Sequence, residues 1–147
     1  MTRSDLLDFM RQEKYAVQAT SASAGLQAAV VGIVVSDAFE IFFDTLDTTR
    51  KARNLRLDTR IAFVVGGTGP NDERTIQYQG LVDEPTGADL TRLKQLYFSR
   101  FPDGPGRESW EGITYFRARP TWLRFSDYSK EPTLIVEFSA SDLANLG

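Results

Sequence analysis

The sequence predicts a mainly β domain, an antiparallel barrel or sandwich with a few helices. Three observations lead there. About seven short runs rich in β-branched and aromatic residues are separated by Gly, Pro, Ser and Asp breaks. Helical periodicity is confined to a few places. The first three β-type runs also follow one another too closely for the crossover helices that a doubly wound parallel sheet requires. At 147 residues with no repeat, low-complexity tract or linker, a single domain over 1–147 is expected.

Residues 2–13 set Leu6, Leu7, Phe9 and Met10 among charges at helical spacing, with Thr2 or Ser4 as cap, and predict a short N-terminal helix. From Lys14 the texture becomes β-type: residues 15–20, 26–35 and 39–44, broken at 21–25 and at Ser36-Asp37-Ala38. The run 28–35 is apolar at every position, which predicts a strand covered on both faces. Residues 48–58 predict a helix with Ala52 and Leu55 turned inward, followed by a buried strand at 61–65 and a loop at 66–72. Residues 74–82 alternate, with Ile76, Tyr78 and Val82 on one face and Thr75, Gln77 and Gln79 on the other. Thr86 and Asp89 stand at capping-box spacing before a helix striped by Leu90, Leu93, Tyr97 and Phe101, which Pro102-Asp103-Gly104-Pro105-Gly106 ends. Strands at 113–119, 121–128 and 134–138 complete the pattern.

Composition removes much chemistry. The chain has no His and no Cys, so His relays, His-bound zinc or haem, thiol nucleophiles, disulfides and Cys metal sites are excluded within this sequence, and no metal site is expected. With 17 Lys and Arg against 20 Asp and Glu, the net charge of −3 argues against sequence-independent nucleic-acid binding. The longest apolar stretch, 28–35, is far short of the roughly 20 residues of a membrane helix, and the expectation is a cytoplasmic protein without membrane attachment.

The stretch 42–55 carries the strongest chemical signal. A strand ends at Thr45 and a helix begins near Thr48, with Arg50 and Lys51 in its first turn, where the helix dipole disfavours cations. Cations there, beside Thr45, Thr48 and Thr49 and the free amides of a helix start, make sense as a phosphate cradle. The alternative is a solvated basic helix balanced by Asp44, Asp47 and Asp58. The loop Gly66-Gly67-Thr68-Gly69 precedes a Pro and a strand and is read as a plain turn. Thr75, Gln77 and Gln79, inside or at the rim of a barrel, would hydrogen-bond a heteroaromatic ring or else face solvent. Trp122, Arg124, Ser126 and Tyr128 share one strand face, which suits a planar anionic ligand, a dimer interface or a surface pair.

In order, these pieces resemble a known family. The run 25–32, Phe42-Phe43-Asp44-Thr45 with Thr49-Arg50-Lys51 and Asn54-Leu55, then 58–63, then Arg74-Thr75-Ile76-Gln77-Tyr78-Gln79-Gly80 together resemble the pyridoxamine 5′-phosphate oxidase-like FMN-binding split barrels, over roughly residues 14–128. The resemblance implies a six-stranded antiparallel Greek-key split barrel and a homodimer with FMN at the subunit interface. Thr45, Thr49, Arg50 and Lys51 would hold the FMN phosphate, and Thr75 or Gln77 would face the flavin. The backbone from Gln27 to Val31 would line the isoalloxazine, and Trp122, Arg124 and Ser126 would reach it from the other subunit. It implies an FMN-dependent oxidoreductase acting on an unassigned small molecule. The alternatives are an F420-dependent reductase of the same fold, since Arg53 and Arg56 add charge, and a non-catalytic, stress-related flavin-binding module. Gln27 and Gly32 stand where the oxidase itself has Arg and Lys, and its late His-containing segment is missing. Both departures argue against pyridoxamine phosphate oxidation.

Overall fold

The computed structural model describes residues 1–23 and 25–147, so Ala24, in the predicted break, lies outside the described residues. In chain order the elements are α1 (Arg3–Gln12), β1 (Tyr15–Ala22), β2 (Gly25–Gly32), β3 (Val34–Val35), β4 (Ile41–Leu46), α2 (Arg50–Leu57), β5 (Arg60–Gly66) and β6 (Arg74–Asp83). They continue as α3 (Gly87–Arg100), α4 (Gly104–Arg107), β7 (Ile113–Asp127), β8 (Leu134–Ser139) and α5 (Ala140–Asn145).

All pairings are antiparallel, in the order β2-β1-β5-β6-β7-β4-β3, with β8 added to the second half of β7. β2 and β3 are consecutive lengths of one strand. At Ile33, whose amide donates to Lys14 O at 3.0 Å, that strand leaves β1 and goes on to pair with β4. The switch curls the sheet into a split barrel, and the predicted fold class holds.

Inward-facing Ile33, Phe43, Phe63, Ile76, Tyr78, Phe116 and Leu123 fill the barrel. The Tyr78 hydroxyl is satisfied by the carbonyls of Phe39 and Ala118, both at 3.0 Å. α1, started by a Thr2–Asp5 capping box, closes the end of the barrel where Phe9 meets Phe125 edge-on at 5.5 Å. α2 closes the other end against β1. A second cluster lies outside the barrel, where Leu93 and Tyr97 of α3 and Phe101 just after it cover Phe42 and Tyr115.

Four expectations change. The run 28–35 is not covered on both faces: β2 turns Leu26 and Val30 outward at 84% and 67% exposure, because no other element of the described chain lies over that face. β5 is likewise buried on one side only, with Val64 exposed on the other. The two strands predicted at 113–119 and 121–128 are the single β7. Pro120 is accommodated beside a register shift at which Gly80 pairs with Pro120 and Gln79 with Trp122. A Cβ at Gly80 would stand 2.5 Å from Arg119 O, so only glycine fits there. Finally, Thr86 makes no side-chain cap on α3, and the Asp89 carboxylate pairs instead with Arg117 at 3.3 Å. α5 was not anticipated, although its Ser139–Asp142 capping box is written in the sequence.

Candidate functional site

The chain leaves β4 at Leu46 and turns into α2, and Thr49 is the N-cap. Its Oγ1 accepts from Ala52 N at 3.3 Å and donates to Leu46 O at 2.9 Å, while Thr45 Oγ1 lies 3.0 Å from it. Arg53 N bonds Thr49 O. The amides of Arg50 and Lys51 are therefore the donors of the first turn with no acceptor among the described residues.

The cations above those amides are also uncompensated. Of the carboxylates that would balance them, Asp44 is engaged by Arg107 at 2.9 Å and by the Tyr97 hydroxyl at 3.0 Å, and Asp58 by Arg60 at 2.6 Å, while Asp47 forms no ion pair with Arg50, Lys51 or Arg53 among the described residues. Arg56 is held by Glu84 at 2.9 Å and Arg60 by Asp58, which narrows the basic cluster of the sequence to Arg50, Lys51 and Arg53. Lys51 is half-buried, and burial pulls its ammonium below the ordinary lysine value. Unpaired cations and free amides on one helix turn make an anion cradle of the kind that binds phosphate.

The second group of predicted residues lies on the outer face of the sheet, not inside the barrel. Thr75 is opposite Ser126, Gln77 opposite Arg124 and Gln79 opposite Trp122. Thr75 is half-buried, and Gln77 and Gln79 are exposed. A shallow cleft of about 310 Å³ is bordered by Val17, Ala62, Val64, Thr75, Gln77 and Trp122. Beside it Arg124 Nε and Ser126 Oγ are buried without a hydrogen-bond partner. Such orphaned polar atoms on an outward face mark a surface that a ligand or another chain completes.

Gln27 stands apart from both groups. Its side chain points inward and its Oε1 accepts from Gln18 at 2.9 Å and Thr20 at 3.2 Å, which leaves only its backbone to serve a ligand on the outer face. Arg50 and Lys51 do not border the outer cleft, so one chain presents the cradle and the polar face as separate halves. Sequence reasoning missed the inner polar group of Gln18, Thr20 and Asn54. The signal was there in Gln18 and Thr20, polar residues at inward positions of β1.

No family model matches the chain, and none of the curated proteins does. Solved structures do match. The heme binding protein from Mycobacterium smegmatis superposes with a TM-score of 0.82 at 13% identity, covering 98% of this chain and 60% of that one. HutZ, the heme storage protein from Vibrio cholerae, gives 0.69 at 16% identity over 80% and 88%. A pyridoxamine 5′-phosphate oxidase-related, FMN binding protein from Nostoc punctiforme gives 0.65 at 15% identity over 93% and 84%. The present chain thus spans about 60% of the length of the Mycobacterium smegmatis protein. The fold is a split barrel. It is the architecture these heme-binding and FMN-binding proteins share.

Proposed function

We propose that this chain is an FMN-binding split-barrel protein that works as a homodimer. The observation that carries the reading is the first turn of α2, where Arg50 and Lys51 offer two free amides and two unpaired cations beside the Thr45–Thr49 hydroxyl pair. Phosphate fits that set of donors better than water does, because neither Arg50 nor Lys51 forms an ion pair among the described residues.

Thr75 and Gln77 would face the isoalloxazine along the outer sheet, with the backbone of β2 beside it. Trp122, Arg124 and Ser126 would come from the second subunit. The exposed Leu26 and Val30 on β2, with Val64 nearby, supply an apolar surface for that subunit to cover. Bound FMN supplies hydride or electron transfer, which side chains without His or Cys do not offer. The protein's part is to fix the phosphate, orient the ring through Gln77 and exclude water from the cleft.

Heme suits this sequence less well. His and Cys, two of the common axial ligands of heme iron, are missing from it. The deazaflavin F420 is the second reading, favoured by Arg53, an exposed third cation next to the cradle that suits an acidic tail.

The test is a titration of the purified protein with FMN, F420 and hemin, read by flavin fluorescence quenching and absorbance. Saturable FMN binding with a rise in thermal midpoint supports the reading, and binding of F420 or hemin in preference to FMN overturns it. Reduction of bound flavin by NADH or NADPH, followed by stopped flow, separates an oxidoreductase from a non-catalytic flavin module.

A further inference from the structure

The end of the barrel beneath α2 is polar where the rest of the interior is apolar. Gln18 and Asn54 are fully buried and Thr20 nearly so. Asn54 Nδ2 donates to Thr20 Oγ1 at 3.1 Å and to Gly25 O at 3.4 Å. Thr20 Oγ1 in turn donates to Gln27 Oε1, which also accepts from Gln18 Nε2. The chain of donors thus runs from α2 through β1 to β2. It ends with two buried acceptors, Gln18 Oε1 and Asn54 Oδ1, that have no donor.

A helix that only plugged a barrel would do so more cheaply with Leu or Ile, since buried amides must find partners or lose stability. A hydrogen-bonded polar joint fixes one orientation instead, because each bond has a direction. Asn54 lies three residues from Lys51 and four from Arg50, on the same side of α2. Any roll or slide of α2 that breaks the Asn54 bonds therefore carries the cradle with it.

We propose that Asn54, acting through Thr20, is a positioning residue that locks α2 to the β1–β2 hairpin. The joint sets the cradle at the start of α2 against the sheet face beside it. This rests on the function proposed above only in calling that cradle a phosphate site.

The test uses the full chain with Asn54→Leu, Thr20→Val and Thr20→Ser, and reads amide hydrogen exchange without ligand, thermal midpoint and FMN affinity. Asn54→Leu and Thr20→Val are expected to speed exchange in α2 by about tenfold or more while β6 and β7 amides keep wild-type rates, and to weaken FMN by a similar factor. Thr20→Ser, which keeps the hydroxyl, restores both. Unchanged α2 exchange in both variants overturns the proposal, as does acceleration spread evenly over the barrel. If Asn54→Leu fails to fold, Thr20→Val decides, being of nearly the same shape as the residue it replaces. A wild-type chain that does not bind FMN overturns the proposed function, and the exchange pattern still decides the joint.

Discussion

Arg107 Nε stands 2.9 Å from Asp44 Oδ2, and this pair draws away one of the two carboxylates, Asp44 and Asp47, that shortly precede α2 in the sequence. Both side chains are mostly enclosed, at 17% and 11% exposure, and Tyr97 takes the other carboxylate oxygen. Arg107→Ala leaves Asp44 enclosed with its strongest partner gone. The expected loss is roughly 3 kcal/mol in urea unfolding. A change within experimental error would show that solvent already screens the pair.

At the cradle, Lys51→Ala is expected to weaken FMN binding by about 1.5–3 kcal/mol, and the double variant with Arg50→Ala by more. Neither change touches the barrel interior. Fluorescence titration is the measurement, and equal dissociation constants for wild type and double variant would place the phosphate elsewhere.

Affinity for FMN should also depend on pH at the alkaline side. Burial already holds Lys51 below the ordinary lysine value, and a bound phosphate dianion favours the charged amine, so binding raises its pKa from that lowered start. Affinity is then full below the lowered value and falls as pH rises through it, earlier than a lysine near 10.5 would allow. A titration series across that range checks the point, and Lys51→Arg should extend the plateau upward.

Two surface pairs predict acid behaviour. Hydrogen bonds from the Arg60 side chain hold Asp58 at about 2, and Arg74 does the same for Asp72. Both folded values lie below the unfolded one near 3.8, so each contribution is present above the unfolded value and lost as pH falls toward 2. Thermal midpoints from pH 5 to 2 should drop less steeply for the double variant Asp58→Asn, Asp72→Asn. The pairs are solvent-exposed, so the effect is small.

The outer face of β2 predicts assembly. Val30 is 67% exposed in the single chain, so Val30→Asp leaves folding nearly untouched. In a homodimer it places a charge against an apolar surface. Light scattering is expected to show a dimer for the wild type and a monomer for the variant. A monomeric wild type would remove the second subunit from the proposed site.

Much of this was legible in the chain. The N-terminal helix followed from four apolar residues at helical spacing, all of them buried, and α2 from the inward Ala52 and Leu55, although its cap is Thr49, one residue beyond the expected start at Thr48. The alternation of 74–82 assigned its two faces correctly. What misled was continuity: 28–35 reads as one strand covered on both sides, but it changes partner at Ile33, and periodicity carries no information about which neighbour a strand has. Pro120 reads as a break because its missing N–H is local, while the β6 register shift that accommodates it is not.

By itself, then, the sequence determined the strand-rich class, the cation-bearing helix start and the lack of His and Cys, because propensity, capping and composition are properties of neighbouring residues. Only the tertiary structure decided which of those cations are unpaired. Glu84 takes Arg56 from 28 residues away, Arg107 takes Asp44 from 63, and Asn54 is sealed against Thr20 across 34. Electrostatic compensation depends on distance in space, which folding sets.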